Sequence, residues 1–212
     1  MTIDAPPPAE IRILALGDSY TIGEGVRSEE RWPVRLAAQL RARGLRVIDP
    51  TIVARTGWTT DELARGIDDA RPTGVYDVVT LLIGVNDQYR GRRADEYAGQ
   101  FRELLARAVR FAGGVASCVV VVSIPDWGVT PFAANRDRAR IAAEINQYNA
   151  INKSEAARAG AHYVDVTPTS RRAASDASLL AGDGLHPSGR MYEDWVRLIA
   201  PVVETILPHG NE

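Results

Sequence analysis

Two short stretches of the 212-residue chain carry side chains suited to acyl transfer: Ser19 in Gly17-Asp18-Ser19-Tyr20, and Asp183 and His186 in Asp183-Gly184-Leu185-His186. A serine hydroxyl is a poor nucleophile until a base takes its proton. Of the 3 histidines, His162 opens a strand and His209 lies in the tail, which leaves His186 as the base. Asp183 is near enough to reach the far ring nitrogen and fix the tautomer that leaves the near nitrogen free. When the hydroxyl adds to an ester carbonyl, the oxygen gains negative charge that fixed donors must meet. The backbone N–H groups of Ser19 and Gly57 and the side-chain amide of Asn86 are candidate donors. Glycine at 57 also permits close approach and unusual backbone angles.

These groups act together only if the fold gathers them. Short apolar, β-branched runs at Ile11 to Leu16, Val47 to Val53, Val75 to Ile83, Cys118 to Ile124 and His162 to Val166 read as strands. Helix-length segments alternate with them: Trp32 to Arg43, Thr60 to Ala70, Ala94 to Phe111, Ala139 to Ala159 and Met191 to Leu207. In the last of these Tyr192, Trp195, Val196, Ile199, Val203 and Ile206 fall on one face, and Pro201 predicts a bend. Near-continuous apolar strands in strict alternation with helices imply a five-stranded parallel sheet covered on both faces, in the flavodoxin-like order 2-1-3-4-5.

That order places the first strand between the second and third, with neighbours about 4.8 Å apart. The tips Gly17-Asp18-Ser19, Arg55-Thr56-Gly57-Trp58 and Gly84-Val85-Asn86-Asp87 then share one crevice, so Ser19, Gly57 and Asn86 become neighbours. The long connection Thr167 to Ser188 returns over the sheet and sets His186 above Ser19.

Read together, these blocks resemble the GDSL-type, or SGNH, hydrolases. Gly17-Asp18-Ser19 resembles the nucleophile block, Gly57 the glycine block, Gly84-Val85-Asn86-Asp87 the asparagine block and Asp183-Gly184-Leu185-His186 the terminal block, in the family's order. Tyr20 stands where the family name expects leucine. The resemblance implies a three-layer α/β/α fold and ester hydrolysis without metal or organic cofactor. It gives Ser19 the role of nucleophile, His186 that of base and Asp183 that of orienting carboxylate, with Ser19, Gly57 and Asn86 as the oxyanion hole. The family's substrates include acetylated sugars, lipids and thioesters, so a thioesterase or lysophospholipase is the competing enzyme reading. A non-catalytic flavodoxin-like binding module is the reading from another class, because Ser19, Thr21 and Gly23 look somewhat like a hydroxyl-rich phosphate loop.

Composition narrows the partners. With 45% hydrophobic and 25% charged residues and a net charge of −2, the chain is an ordinary globular protein with no broad positive field for nucleic acid or a membrane surface. Lys153 is the one lysine, and the arginine richness reads as codon bias. The single cysteine, Cys118, reads as a buried small hydrophobe. No His-x-x-x-His pair or cysteine cluster suggests a metal, and no Gly-Lys-Ser/Thr a nucleotide loop. Residues 1–10, with Pro6 to Pro8, read as a leader ahead of one domain at 11–208. Without a basic and apolar leader or an apolar stretch near 18 residues, the expected location is cytoplasmic.

The expected partner is a small-molecule ester. Trp58, Tyr89, Trp127 and Phe132, with Trp32, lie at or beside the loaded edge, and Pro125 to Phe132 reads as a wall of fixed shape. Aromatic walls without a long apolar lid suit a short acyl chain, acetyl above all, on a polar or sugar alcohol. Arg55, Arg90 and Arg92 flank the glycine and asparagine blocks; an anionic part of the substrate is one reading for them, and the more usual one is that they face solvent.

Overall fold

The apolar runs form the strands, and the computed structural model describes residues 10–207. The strands are β1 (Ile13–Gly17), β2 (Thr51–Ala54), β3 (Val78–Leu82), β4 (Val119–Val122) and β5 (His162–Val164), all paired in parallel in the order β2-β1-β3-β4-β5. β1, β3 and β4 are buried along their whole length, as strands covered on both faces must be. They are shorter than the apolar runs because the run ends bond elsewhere. The N–H of Tyr76 donates to the Phe111 carbonyl rather than to the ladder, and Val75 is exposed. Cys118 falls just before β4, in a short turn of helix over Ala116–Cys118, and is half-buried rather than buried in the sheet.

The helices are α1 (Ser19–Ile22), α2 (Trp32–Ala42), α3 (Thr60–Ala70), α4 (Val85–Tyr89), α5 (Ala94–Phe111), α6 (Arg138–Ala159), α7 (Thr167–Arg171) and α8 (Gly189–Ile206). α2 and α8 pack together on one side of the sheet, and α3, α5 and α6 form the other layer. The apolar stripe of α8 is buried from Tyr192 to Val203, and the helix runs on through the exposed Pro201. Trp32 lies wholly in this core, so it does not line the crevice. Among the described residues no helix is long and apolar enough to cross a membrane. Pro6 to Pro8, His209 and the last residue of the expected 11–208 span lie outside the described residues.

Candidate functional site

β1 ends at Gly17, level with Ala54 of β2 and Leu82 of β3, so three strand tips open on one edge of the sheet. There the chain turns directly into α1. A Cβ on Gly17 would lie 2.2 Å from the Thr21 hydroxyl and 2.5 Å from the Leu82 carbonyl, so only glycine admits this turn. Asp18 caps α1 by accepting the Tyr20 N–H at 3.0 Å. Ser19 is the first helical residue, and among the described residues neither its N–H nor its hydroxyl has a hydrogen-bond partner.

The loop after β2 is fixed on several sides. Gly57 takes φ +85°, where a side chain is strained. Thr56 donates its hydroxyl to Glu24, and the Trp58 N–H donates to the Arg55 carbonyl at 3.2 Å. From α4, Asn86 Nδ2 donates to the Trp58 carbonyl at 2.9 Å, and Arg90, at the C-cap of that helix, donates to the Gly57 carbonyl at 2.7 Å and to Glu62 at 3.2 Å. An amide has two N–H bonds, so Asn86 retains one beyond that anchor. Among the described residues the Gly57 N–H meets no acceptor. Asp87 accepts the Thr60 N–H at 3.0 Å and its hydroxyl at 2.8 Å, which ties α4 to the start of α3.

The last group comes from the segment between α7 and α8. The Ala181 N–H donates to the His186 carbonyl at 2.8 Å, closing a tight loop. Asp183 Oδ1 accepts the N–H groups of Leu185 and His186 at 2.9 and 3.0 Å, and its Oδ2 lies 2.6 Å from His186 Nδ1. Burial works against the Asp183 charge, but the His186 ring and these two N–H donors outweigh it and hold the carboxyl below its ordinary value. The Tyr20 ring packs beside that of His186, centroids 5.4 Å apart.

Ser19, Gly57, Asn86 and His186 line one cavity of about 180 Å³. Its other walls are mainly apolar, with Val85, Tyr89, Trp127, Phe132 and Leu185 around Tyr20. Tyr89, Trp127 and Phe132 pack edge to face or tilted against one another. The Phe132 N–H also reaches the Gly184 carbonyl at 3.4 Å, joining the wall to the histidine loop. Ser19 and His186 share the cavity without a direct hydrogen bond. Such bonds commonly tighten only around substrate. Among the described residues no three His, Cys, Asp or Glu side chains are grouped to hold a metal.

Two sequence expectations change. Trp58 does not line the cavity: its ring lies on Gly66 of α3, where a Cβ would come within 2.1 Å of it. Arg90 is solvent-facing as expected, yet it bonds the glycine loop, whereas Arg92 is not a surface charge. Arg92 is 19% exposed and pairs with Asp61 at 2.8 Å and Asp87 at 3.2 Å, while Arg90 holds Gly57. Tyr20, which stands where the family name expects leucine, packs beside the histidine ring. The signal available for it was its place directly after Ser19. Nothing in the sequence marked Leu185 or Val85 as cavity residues.

Beneath the site lies a buried carboxyl. Burial raises Asp18 to about 8 against an ordinary 3.8, the Tyr20 N–H pulling the other way and the Asp87 charge adding to the rise. Its Oδ2 is buried with no hydrogen-bond partner among the described residues. Burial likewise raises Asp87 to about 6, despite Thr60 and Arg92. Between about pH 4 and pH 8 the unfolded chain has released the Asp18 proton and the folded one has not. Stability therefore falls as pH rises through that window, by up to about 1.4 kcal/mol per pH unit for this group. Asp18→Asn keeps an acceptor for Tyr20 and cannot ionise. Urea midpoints taken across the window should decline less steeply in the variant, and equal slopes would show that Asp18 does not retain its proton.

Comparison with known proteins follows the same lines. A model of the GDSL-like Lipase/Acylhydrolase family matches residues 15–193. Among solved structures, TesA superposes with a TM-score of 0.73 at 15% identity, over 92% of this chain and 99% of that one. A lipolytic G-D-S-L family protein from Veillonella parvula gives 0.67 at 21%, over 93% and 97%. Axe2, an acetylxylan esterase from Geobacillus stearothermophilus, gives 0.67 at 19%, over 91% and 94%. At these identities the structural likeness carries the fold. No curated protein matches the chain.

Proposed function

The chain belongs to the GDSL-like lipase/acylhydrolase family, and from that premise we propose that it is a serine ester hydrolase in which Ser19 is the nucleophile, His186 the base and Asp183 the carboxylate that orients it. His186 takes the hydroxyl proton as Ser19 Oγ bonds to the ester carbonyl carbon. The N–H groups of Ser19 and Gly57 and the free N–H of Asn86 meet the oxyanion. The imidazolium then returns its proton to the departing alcohol, leaving Ser19 acylated. Water, deprotonated by the same ring, releases the acid and restores the serine.

The observation that carries this reading is the pairing of donors with the base. One small cavity is lined by Ser19 and Gly57, whose backbone N–H groups have no acceptor among the described residues, by Asn86 with its half-used amide, and by His186, whose Nδ1 lies 2.6 Å from a carboxylate. A ring so committed keeps its other nitrogen for proton transfer.

The substrate is a short acyl ester, acetyl above all, of a sugar or another small polar alcohol. Two features support this. The cavity of about 180 Å³ is below the roughly 300–1,000 Å³ of sites for drug-sized ligands, and its walls are apolar. A second hollow of about 280 Å³ adjoins it across Tyr89 and Trp127, with Gln88, Arg136 and Glu144 among its polar walls, and suits the alcohol. Axe2, a structural neighbour, is an acetylxylan esterase, which accords with the same choice.

A p-nitrophenyl ester series from acetate to octanoate tests the reading. kcat/KM should be highest for acetate and fall at least about tenfold by octanoate. An optimum at about eight carbons would overturn the short-acyl assignment, and no hydrolysis at any length, nor of acetylated sugars, would overturn the esterase itself. Asn86→Ala should lower kcat by about 10² to 10³. An unchanged kcat would remove Asn86 from the oxyanion hole.

A further inference from the structure

Arg90 does more than pair with a surface carboxylate. We infer that Arg90 is a positioning residue for the oxyanion hole, its guanidinium clamping the Gly57 carbonyl so that the Gly57 N–H stays directed at the reacting oxygen. The inference rests on the hydrolase reading above.

The geometry is a two-point latch. Asn86 and Arg90 stand one helical turn apart at the α4 end of the site, and spacing of i to i+4 puts their side chains on one face. From that face Asn86 Nδ2 holds the Trp58 carbonyl at 2.9 Å and Arg90 holds the Gly57 carbonyl at 2.7 Å. Two successive peptide units of the loop are thus tied to the element that supplies the third oxyanion donor. Upstream, Thr56 is tied to Glu24. What remains unbonded at Gly57 is the N–H that the chemistry needs.

Gly57 requires such a latch because glycine has the widest backbone freedom and here holds φ +85°. A donor that swings away by about 1 Å loses most of its value to a transition state. Stability offers a poor reason for the arginine: its partner contact with Glu62 is half-exposed, 50% and 30%, and such pairs contribute little. Glu62 is itself pinned, accepting the Thr59 N–H at 2.9 Å within the cap of α3. It holds the guanidinium in place over the loop. The bond to Gly57 is charge-assisted, which makes it stronger than a neutral one.

The test compares wild type, Arg90→Ala and Arg90→Lys on p-nitrophenyl acetate, with hydrogen–deuterium exchange of the peptide spanning 55–59 as a second readout. Arg90→Ala should lower kcat by about 10- to 100-fold with KM changed less than about threefold, because the loss falls on the transition state alone. Arg90→Lys should retain an intermediate rate. Free guanidinium at tens of millimolar should restore several-fold activity to Arg90→Ala and none to Asn86→Ala. Exchange at 55–59 should quicken in Arg90→Ala while β1 and β3 keep their protection. An unchanged kcat, a KM that rises in step with the loss, or loss without guanidinium rescue would each overturn the clamp. Should the wild type hydrolyse no ester, the proposed function fails, and the exchange readout alone then decides whether Arg90 holds the loop.

Discussion

Ser19→Ala should yield a folded protein whose ester hydrolysis is below about 10⁻⁴ of the wild-type kcat. The expectation of a normal fold rests on what the side chain touches. Among the described residues the Ser19 hydroxyl makes no hydrogen bond, and its β-carbon survives the substitution. The backbone N–H, a proposed oxyanion donor, also survives. The variant thus removes only the atom proposed to form the acyl bond, and residual turnover of roughly 10³ over water is what the proposed oxyanion donors and binding alone would supply. Two measurements belong together: kcat on p-nitrophenyl acetate, and the mass of the protein trapped with a phosphonate ester. Wild type should gain the mass of one adduct and the variant none. A residual rate above about 1% of wild type would move the nucleophile elsewhere.

That residue order brings Ser19, Gly57 and Asn86 to one cavity follows from how a parallel sheet works. The apolar runs fixed five strands, and the 2-1-3-4-5 order then made neighbours of the residues after β1, β2 and β3. Ser19, Gly57 and Asn86 are brought together by register alone, with Gly17 level with Ala54 and Leu82. His186 followed from the length of the segment before α8. What escaped the sequence was everything decided by side-chain direction or by a single turn. α1, α4 and α7 span 4, 5 and 5 residues, too short to show a period of 3.6. Trp58 sits in the right loop, but the bare surface of Gly66 draws its ring outward along α3 and leaves the cavity to Tyr89, Trp127 and Phe132. Arg90 and Arg92 were indistinguishable as charges. One closes on a carbonyl of the glycine loop, and the other enters the buried Asp87 cluster, and only the hydrogen bonds that tie the α4 region to the start of α3 separate the two. Tyr20 illustrates the same limit, since its contact with His186 joins residues far apart in the chain.

Asp183→Asn should lower kcat by about 10³ to 10⁴ while leaving the fold and KM nearly unchanged. The two carboxylate oxygens do separate work. Oδ1 accepts the Leu185 and His186 N–H groups at 2.9 and 3.0 Å and shapes the turn, and an asparagine oxygen can do the same. Oδ2 faces His186 Nδ1 at 2.6 Å, where an asparagine presents an N–H instead. Donor against donor is repulsive, so the ring adopts the other tautomer and turns an N–H, not a lone pair, toward Ser19. A base without a lone pair cannot take the hydroxyl proton. Asp183→Ala supplies the control, since it removes both functions. It should lose activity to a similar degree and also stability, by about 1–2 kcal/mol for the unpaired turn donors, read as a lower Tm. If Asp183 were only a turn-forming residue, asparagine would serve nearly as well. A loss below about tenfold in Asp183→Asn, together with a large loss in Asp183→Ala, would therefore assign the residue to loop shape and leave His186 without its orienting partner.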